Sequence, residues 1–258
     1  MAAEGPQQIA VPGQGAGWLK RYQGGARRWR LALLNGVVRL LRVPALQASP
    51  PRAGDDLRQL EQRRLEALAA KGVHVPTILR SGPGELLLSD LGPTLAARLL
   101  AGDTAERLRL LGETALAIAA VHRRQVCLGQ PLGRNITVDD AGRIGFLDFE
   151  DDPLEVMTLA QAQCRDWLFL AAGSLRHARS VPTAELSRAL SLGLIQAEPA
   201  VRTELAQSLR RLGWLGWISA RLGRRARGLT VAIDGLLGAL AQTPADDSSN
   251  QPSGLRTL

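Results

Sequence analysis

Asn135 and Asp148 have the residue types and the spacing for metal chemistry in this 258-residue chain. They bracket a short hairpin pattern, residues 136–138 and 143–147, joined by the turn-forming run Asp139-Asp140-Ala141-Gly142. An amide and a carboxylate at two strand ends keep a fixed separation. Both are hard oxygen donors, suited to a divalent cation that also binds phosphate oxygens. Each has an ordinary reading too: a lone Asn favours a turn, and an Asp after an apolar strand can cap or turn the chain.

Two outlying charges fit the same chemistry. Lys20 ends a Trp18-Leu19-Lys20 strand pattern, and only Lys20 and Lys71 are lysines among 32 basic residues. A compact ammonium is not equivalent to a guanidinium fork, so a lysine kept at this point carries chemical meaning. Glu61 falls within a helical stripe of Leu57, Leu60, Leu65 and Leu68, while Glu66 lies on the opposite face. A carboxylate on an apolar face needs a partner. Lys20 is the natural one, and Arg64 on the same stripe is the other. The bland reading of Lys20 and Glu61 is a solvated surface charge.

The elements that must position these groups divide unevenly. Strand patterns at 8–11, 17–22, 76–80 and 85–89 fill the first third, together with a basic helical segment at 26–43 and a helix at 55–71. After Asp90-Leu91-Gly92-Pro93 helices dominate, at 94–101, 104–124, 157–177, 182–196, 198–211, 214–226 and 229–241. The hairpin at 136–147 interrupts them. The tail from Thr243 is polar and reads as disordered.

The run Leu128-Gly129-Gln130-Pro131-Leu132-Gly133-Arg134-Asn135, followed by Gly145-Phe146-Leu147-Asp148-Phe149-Glu150, resembles one particular family. It is similar to the catalytic loop and metal-binding strand end of bacterial lipopolysaccharide-kinase-type and RIO-like members of the protein-kinase-like superfamily. The similarity covers about residues 17–177, and the last quarter matches only in helical character. The resemblance implies an α+β, bilobal protein-kinase-like fold: an N-terminal lobe and hinge at 1–92, a helical lobe at 93–242 and a disordered tail at 243–258. It implies ATP and Mg2+ as cofactors, with Asn135 and Asp148 on the metal and Lys20, paired with Glu61, on the phosphates. Leu88 and Asp90 would lie in a hinge that offers backbone groups to an adenine edge. Asp166, in a buried helix, would accept backbone N–H groups from the catalytic loop.

The catalytic positions implied are Gln130 and Asp148, and Gln130 departs from the family, which has Asp there. Leu128 likewise replaces a His. A glutamine hydrogen-bonds but takes no proton at neutral pH. Phosphoryl transfer depends mostly on positioning and charge neutralisation, so turnover is compatible with that loss. Asp151 or Asp152 could substitute. The stretch before Pro12 is too short for two strands and a full glycine-rich loop, so the phosphate cover is reduced or absent. The expected function is a phosphotransferase acting on a lipopolysaccharide-type sugar or another small or lipid-linked acceptor. The alternative is a nucleotide-binding pseudokinase that regulates a partner or a membrane process.

Charge and composition bound these readings. The formal charge is +8 and the sequence pI about 10.9, which suits an anionic partner. Nucleic acid has the charge in its favour but no motif or aromatic interleaving behind it. Residues 18–42 and 209–227 combine Arg with Trp and Leu and contain no acid. Such segments either rest on an anionic membrane or pack their apolar faces on the domain. Cys127 and Cys164 are too few for a disulfide framework. His74, His122 and His177 lack ligand spacing. With no secretory pattern and no apolar run of about 18 residues, the expected location is the cytoplasm, with peripheral contact at the inner membrane face.

Overall fold

Alternating apolar and polar side chains in the first third become an antiparallel sheet. The computed structural model describes residues 5–13, 15–22, 43–178, 180–219 and 224–244. Strands β1 (Gln7–Val11), β2 (Gly15–Arg21), β3 (Ile78–Gly82) and β4 (Glu85–Ser89) lie in the order β1-β2-β4-β3. The register sets Lys20 of β2 opposite Leu86 of β4. Leu86, Leu87 and Leu88 are all buried, so both faces of β4 are covered.

Helix α1 (Gly54–Ala70) packs against β4 and buries Leu60, Glu61, Arg64, Leu65 and Leu68. Asp55 and Asp56 in its first turn complement the helix dipole. Gly72, with φ of 71°, ends it in the left-handed conformation, and the Val73 N–H returns to the Leu68 carbonyl.

Beyond residues 90–94 come α2 (Leu95–Ala101), α3 (Thr104–Arg123), the hairpin β5 (Ile136–Val138) and β6 (Ile144–Phe146), α4 (Leu159–Ser174), α5 (Thr183–Leu194), α6 (Pro199–Ser219) and α7 (Arg224–Leu240). The described residues are thus α+β, with a small antiparallel sheet early and helices after it. α5 packs on α3 and α7, and α4 on α6 and α7. One hydrophobic cluster runs from Tyr22 and Leu65 through Trp167 to Leu236.

Where the chain must pass closely, glycine is required. A Cβ on Gly173 of α4 would lie 2.9 Å from Leu132 Cα and 3.0 Å from Gly133 N, so this position lets the helix seat the loop that precedes Asn135.

One boundary differs from expectation. The separate helices predicted at 198–211 and 214–226 begin as a single α6 that continues through Gly213 to Ser219. A mid-helix glycine costs only about 1 kcal/mol, and nothing presses on Gly213. The basic segment at 23–42, the tail from 245 and the side chains of 214–227 lie outside the described residues.

Candidate functional site

The site begins at the β5–β6 hairpin. Ile136 pairs with Phe146 and Val138 with Ile144, while Asp139 Oδ1 accepts from the N–H groups of Ala141 and Arg143 to close the turn. The Phe146 N–H bonds the His74 carbonyl and the Val138 N–H bonds that of Pro93, so the hairpin is clamped between two other segments. Asn135 enters β5 and Asp148 leaves β6, and the Leu147 N–H bonds the Asn135 carbonyl at 2.8 Å.

Asp148 adopts φ of 68°, a left-handed conformation uncommon for a non-glycine residue. After this sharp turn the Asp148 carboxylate faces Lys20 and the Phe149 N–H meets Glu61 Oε1 at 3.2 Å. Asn135 Nδ2 donates to the Gln130 carbonyl at 3.0 Å and to Asp148 Oδ2 at 3.3 Å. Because a carbonyl can only accept, the amide nitrogen must point inward there. Asn135 Oδ1 then remains as a hard donor beside a carboxylate.

Lys20 Nζ lies 2.8 Å from Glu61, 2.9 Å from Asp148 and 2.8 Å from Glu150. Burial opposes its charge, but the three carboxylates outweigh that penalty and raise its pKa well above the ordinary value. Glu61 is 1% exposed and is held further by the Tyr22 hydroxyl, which donates to Oε2 at 2.5 Å. Burial, together with the negative charge of Glu61, raises the Tyr22 pKa and keeps the phenol a neutral donor. Burial likewise raises Glu150 above the usual carboxylate range, against the pull of Lys20. Arg64, the other partner open to Glu61, turns instead to the carbonyls of Cys127, Leu128 and Asp151.

The loop at 127–135 is fixed from below. Asp166 of α4, fully buried, accepts from the N–H of Leu128 at 2.8 Å, from that of Gly129 at 2.7 Å, and sits 3.0 Å from His122 Nε2. Gln130 Nε2 reaches Asp151 Oδ2 at 3.4 Å, and the same Asp151 oxygen is bonded by buried Arg165. Asp152 Oδ1 accepts from the Leu154 N–H and is reached by Arg64. Both acids offered as substitute bases are therefore engaged. Cys127 is buried, and burial pushes its thiol up to about 12, which leaves it a small hydrophobe rather than a nucleophile.

Of the positions named from sequence, Lys20, Glu61, Asn135 and Asp148 come together, with Gln130 at their edge. The expected hinge pair lies at the end of β4. Leu88 pairs in the sheet with Trp18 on one side and with Ile78 on the other. Asp90 lies just past the strand and uses its carboxylate to hold the Gly92 N–H and Gln8 Nε2.

Tyr22 and Glu150 were missed in the sequence. For Tyr22 the signal was present, since it stands two residues after Lys20 and a period of two returns an extended chain to the same face; Glu150 follows the left-handed turn at Asp148, which no such period describes. Among the described residues no group of three or more His, Cys, Asp or Glu side chains is arranged to hold a metal by itself. The carboxylate of Asp148 and the amide oxygen of Asn135 fit magnesium shared with phosphates rather than a protein cage. No protein-family model matches the chain, and no curated protein matches it in sequence.

Proposed function

We propose that this chain is a kinase-like phosphotransferase that uses Mg-ATP, of the kind its motifs resemble, with residues 1–92 and 93–242 as two lobes around the site. One observation carries the reading. Lys20, Glu61 and Asp148, far apart in sequence, meet at one ammonium group. A lysine held by a buried carboxylate beside a second carboxylate and an amide oxygen is equipped to bind a polyphosphate and its metal.

In this reading Glu61 fixes Lys20, and Lys20 holds phosphate oxygens. Asn135 Oδ1 and Asp148 hold magnesium, which when bound neutralises charge on the phosphates. Asp166 keeps the loop of Gln130 in place. The acceptor is a small or lipid-linked hydroxyl compound such as a lipopolysaccharide-type sugar.

The engagement of Gln130 with Asp151, and of Asp151 with Arg165, supports a second reading as a nucleotide-binding pseudokinase. Transfer of phosphate above background separates the two.

The test of the site is thermal unfolding with ATP, with and without magnesium. A ligand at a hundredfold excess over its Kd stabilises by about 2.7 kcal/mol, or about 5–10 °C for a domain of this size. Asp148→Ala should abolish most of that shift with an unchanged far-UV spectrum. An equal shift in the variant would remove the assignment.

A further inference from the structure

An ammonium carries three N–H donors, and around Lys20 Nζ stand three carboxylates, from Glu61, Asp148 and Glu150, at 2.8–2.9 Å. The group is saturated. A phosphate oxygen can reach Lys20 only by displacing one of them.

Glu61 is not the one to leave. It is buried, and it also accepts from the Tyr22 hydroxyl and the Phe149 N–H. Asp148 has a second contact with Asn135 Nδ2. Glu150 has no partner but Lys20 among the described residues, and its side chain, 33% exposed against 37% for Asp148, has solvent beside it to move into, so its lack of a second partner singles it out. One positive and three negative groups also leave the cluster net negative, which opposes the approach of a polyanion.

We propose that Glu150 is an internal stand-in for a nucleotide phosphate: its carboxylate occupies the seat of a phosphate oxygen at Lys20 and must swing out before a nucleotide binds. This rests on the nucleotide-site reading above and adds a competitor to it. With Glu150 seated, metal-free ATP is held off by both occupancy and charge. A divalent cation offsets the charge, so the protein discriminates for the metal complex.

The experiment is isothermal titration of the full chain with ATP and with inorganic tripolyphosphate, in EDTA and in magnesium. It compares the wild type with Glu150→Ala, Glu150→Gln, and each of these combined with Lys20→Met. Glu150→Ala should tighten metal-free binding about tenfold, which corresponds to about 1.4 kcal/mol, with a smaller gain in magnesium. Lys20→Met should erase the gain. Glu150→Gln keeps the side-chain size, provides a second variant should the alanine form fold poorly, and should show the same direction.

If the wild type binds Mg-ATP but neither Glu150 variant binds metal-free ligand more tightly, the stand-in is overturned and the site reading stands. Weaker magnesium-dependent binding in both variants would make Glu150 a metal ligand and also overturn it. If no form binds either ligand under any condition, the site reading falls and takes the stand-in with it.

Discussion

At Gln130 the side-chain amide points to a carboxylate, Asp151, that buried Arg165 already neutralises. A carboxylate placed at 130 would therefore stand beside a compensated pair rather than a bare negative charge. Gln130→Asp is expected to raise phosphotransfer to an acceptor or to water, because general-base assistance is typically worth about 10²–10⁴-fold. The assay is release or transfer of labelled phosphate from ATP at fixed magnesium. Unchanged turnover with intact nucleotide binding would favour the regulatory module over the enzyme. The same scale explains why Glu61 is so well fixed. Its two oxygens serve Lys20, the Tyr22 hydroxyl and the Phe149 N–H, leaving little freedom for a buried charge that must not be left unpaired.

Among the elements, α4 contributes most to the site without touching it, through Asp166 beneath the Leu128-Gly129 turn. Asp166→Asn would set an N–H2 group against one of the three donors that now converge there. Loss of a buried charge-assisted network of this kind costs about 2–3 kcal/mol, so thermal unfolding should fall by about 5–10 °C. Asp166→Ala should cost at least as much, and a variant that melts with the wild type would show that the loop holds without this anchor. Much of this scale was legible in the sequence. The leucine stripe of α1 located Glu61 on the buried face, and the turn run at 139–142 located the hairpin between Asn135 and Asp148. What was not legible depended on tertiary contact. Whether Glu61 met Lys20 or Arg64 was undecidable from a stripe both could share, and it was settled by the loop carbonyls that draw Arg64 away.

For the whole molecule the formal charge is +8, which suits an anionic counterpart. No helix of the described residues is long and apolar enough to cross a membrane. Of the basic segments at 18–42 and 209–227, residues 23–42 and the side chains of 214–227 lie outside the described residues. Our proposal that they bring the site to an anionic bilayer is tested by co-sedimentation. Binding is expected to vesicles containing phosphatidylglycerol and not to neutral ones, and to weaken at high salt and with Arg224→Glu combined with Arg225→Glu. No sedimentation at low salt would end that proposal. The segment leading from Asp148 to α4 is tied down at several points. Ser49 and Arg64 hold the carbonyls of Asp152 and Asp151, and Arg52 grips Glu155 with both terminal nitrogens. From 149 to 158 its one hydroxyl residue is Thr158, whose side chain caps α4. A phosphate on Thr158 would replace the present cap with negative charge at the N-terminus of α4, where the helix dipole and the free N–H groups favour it.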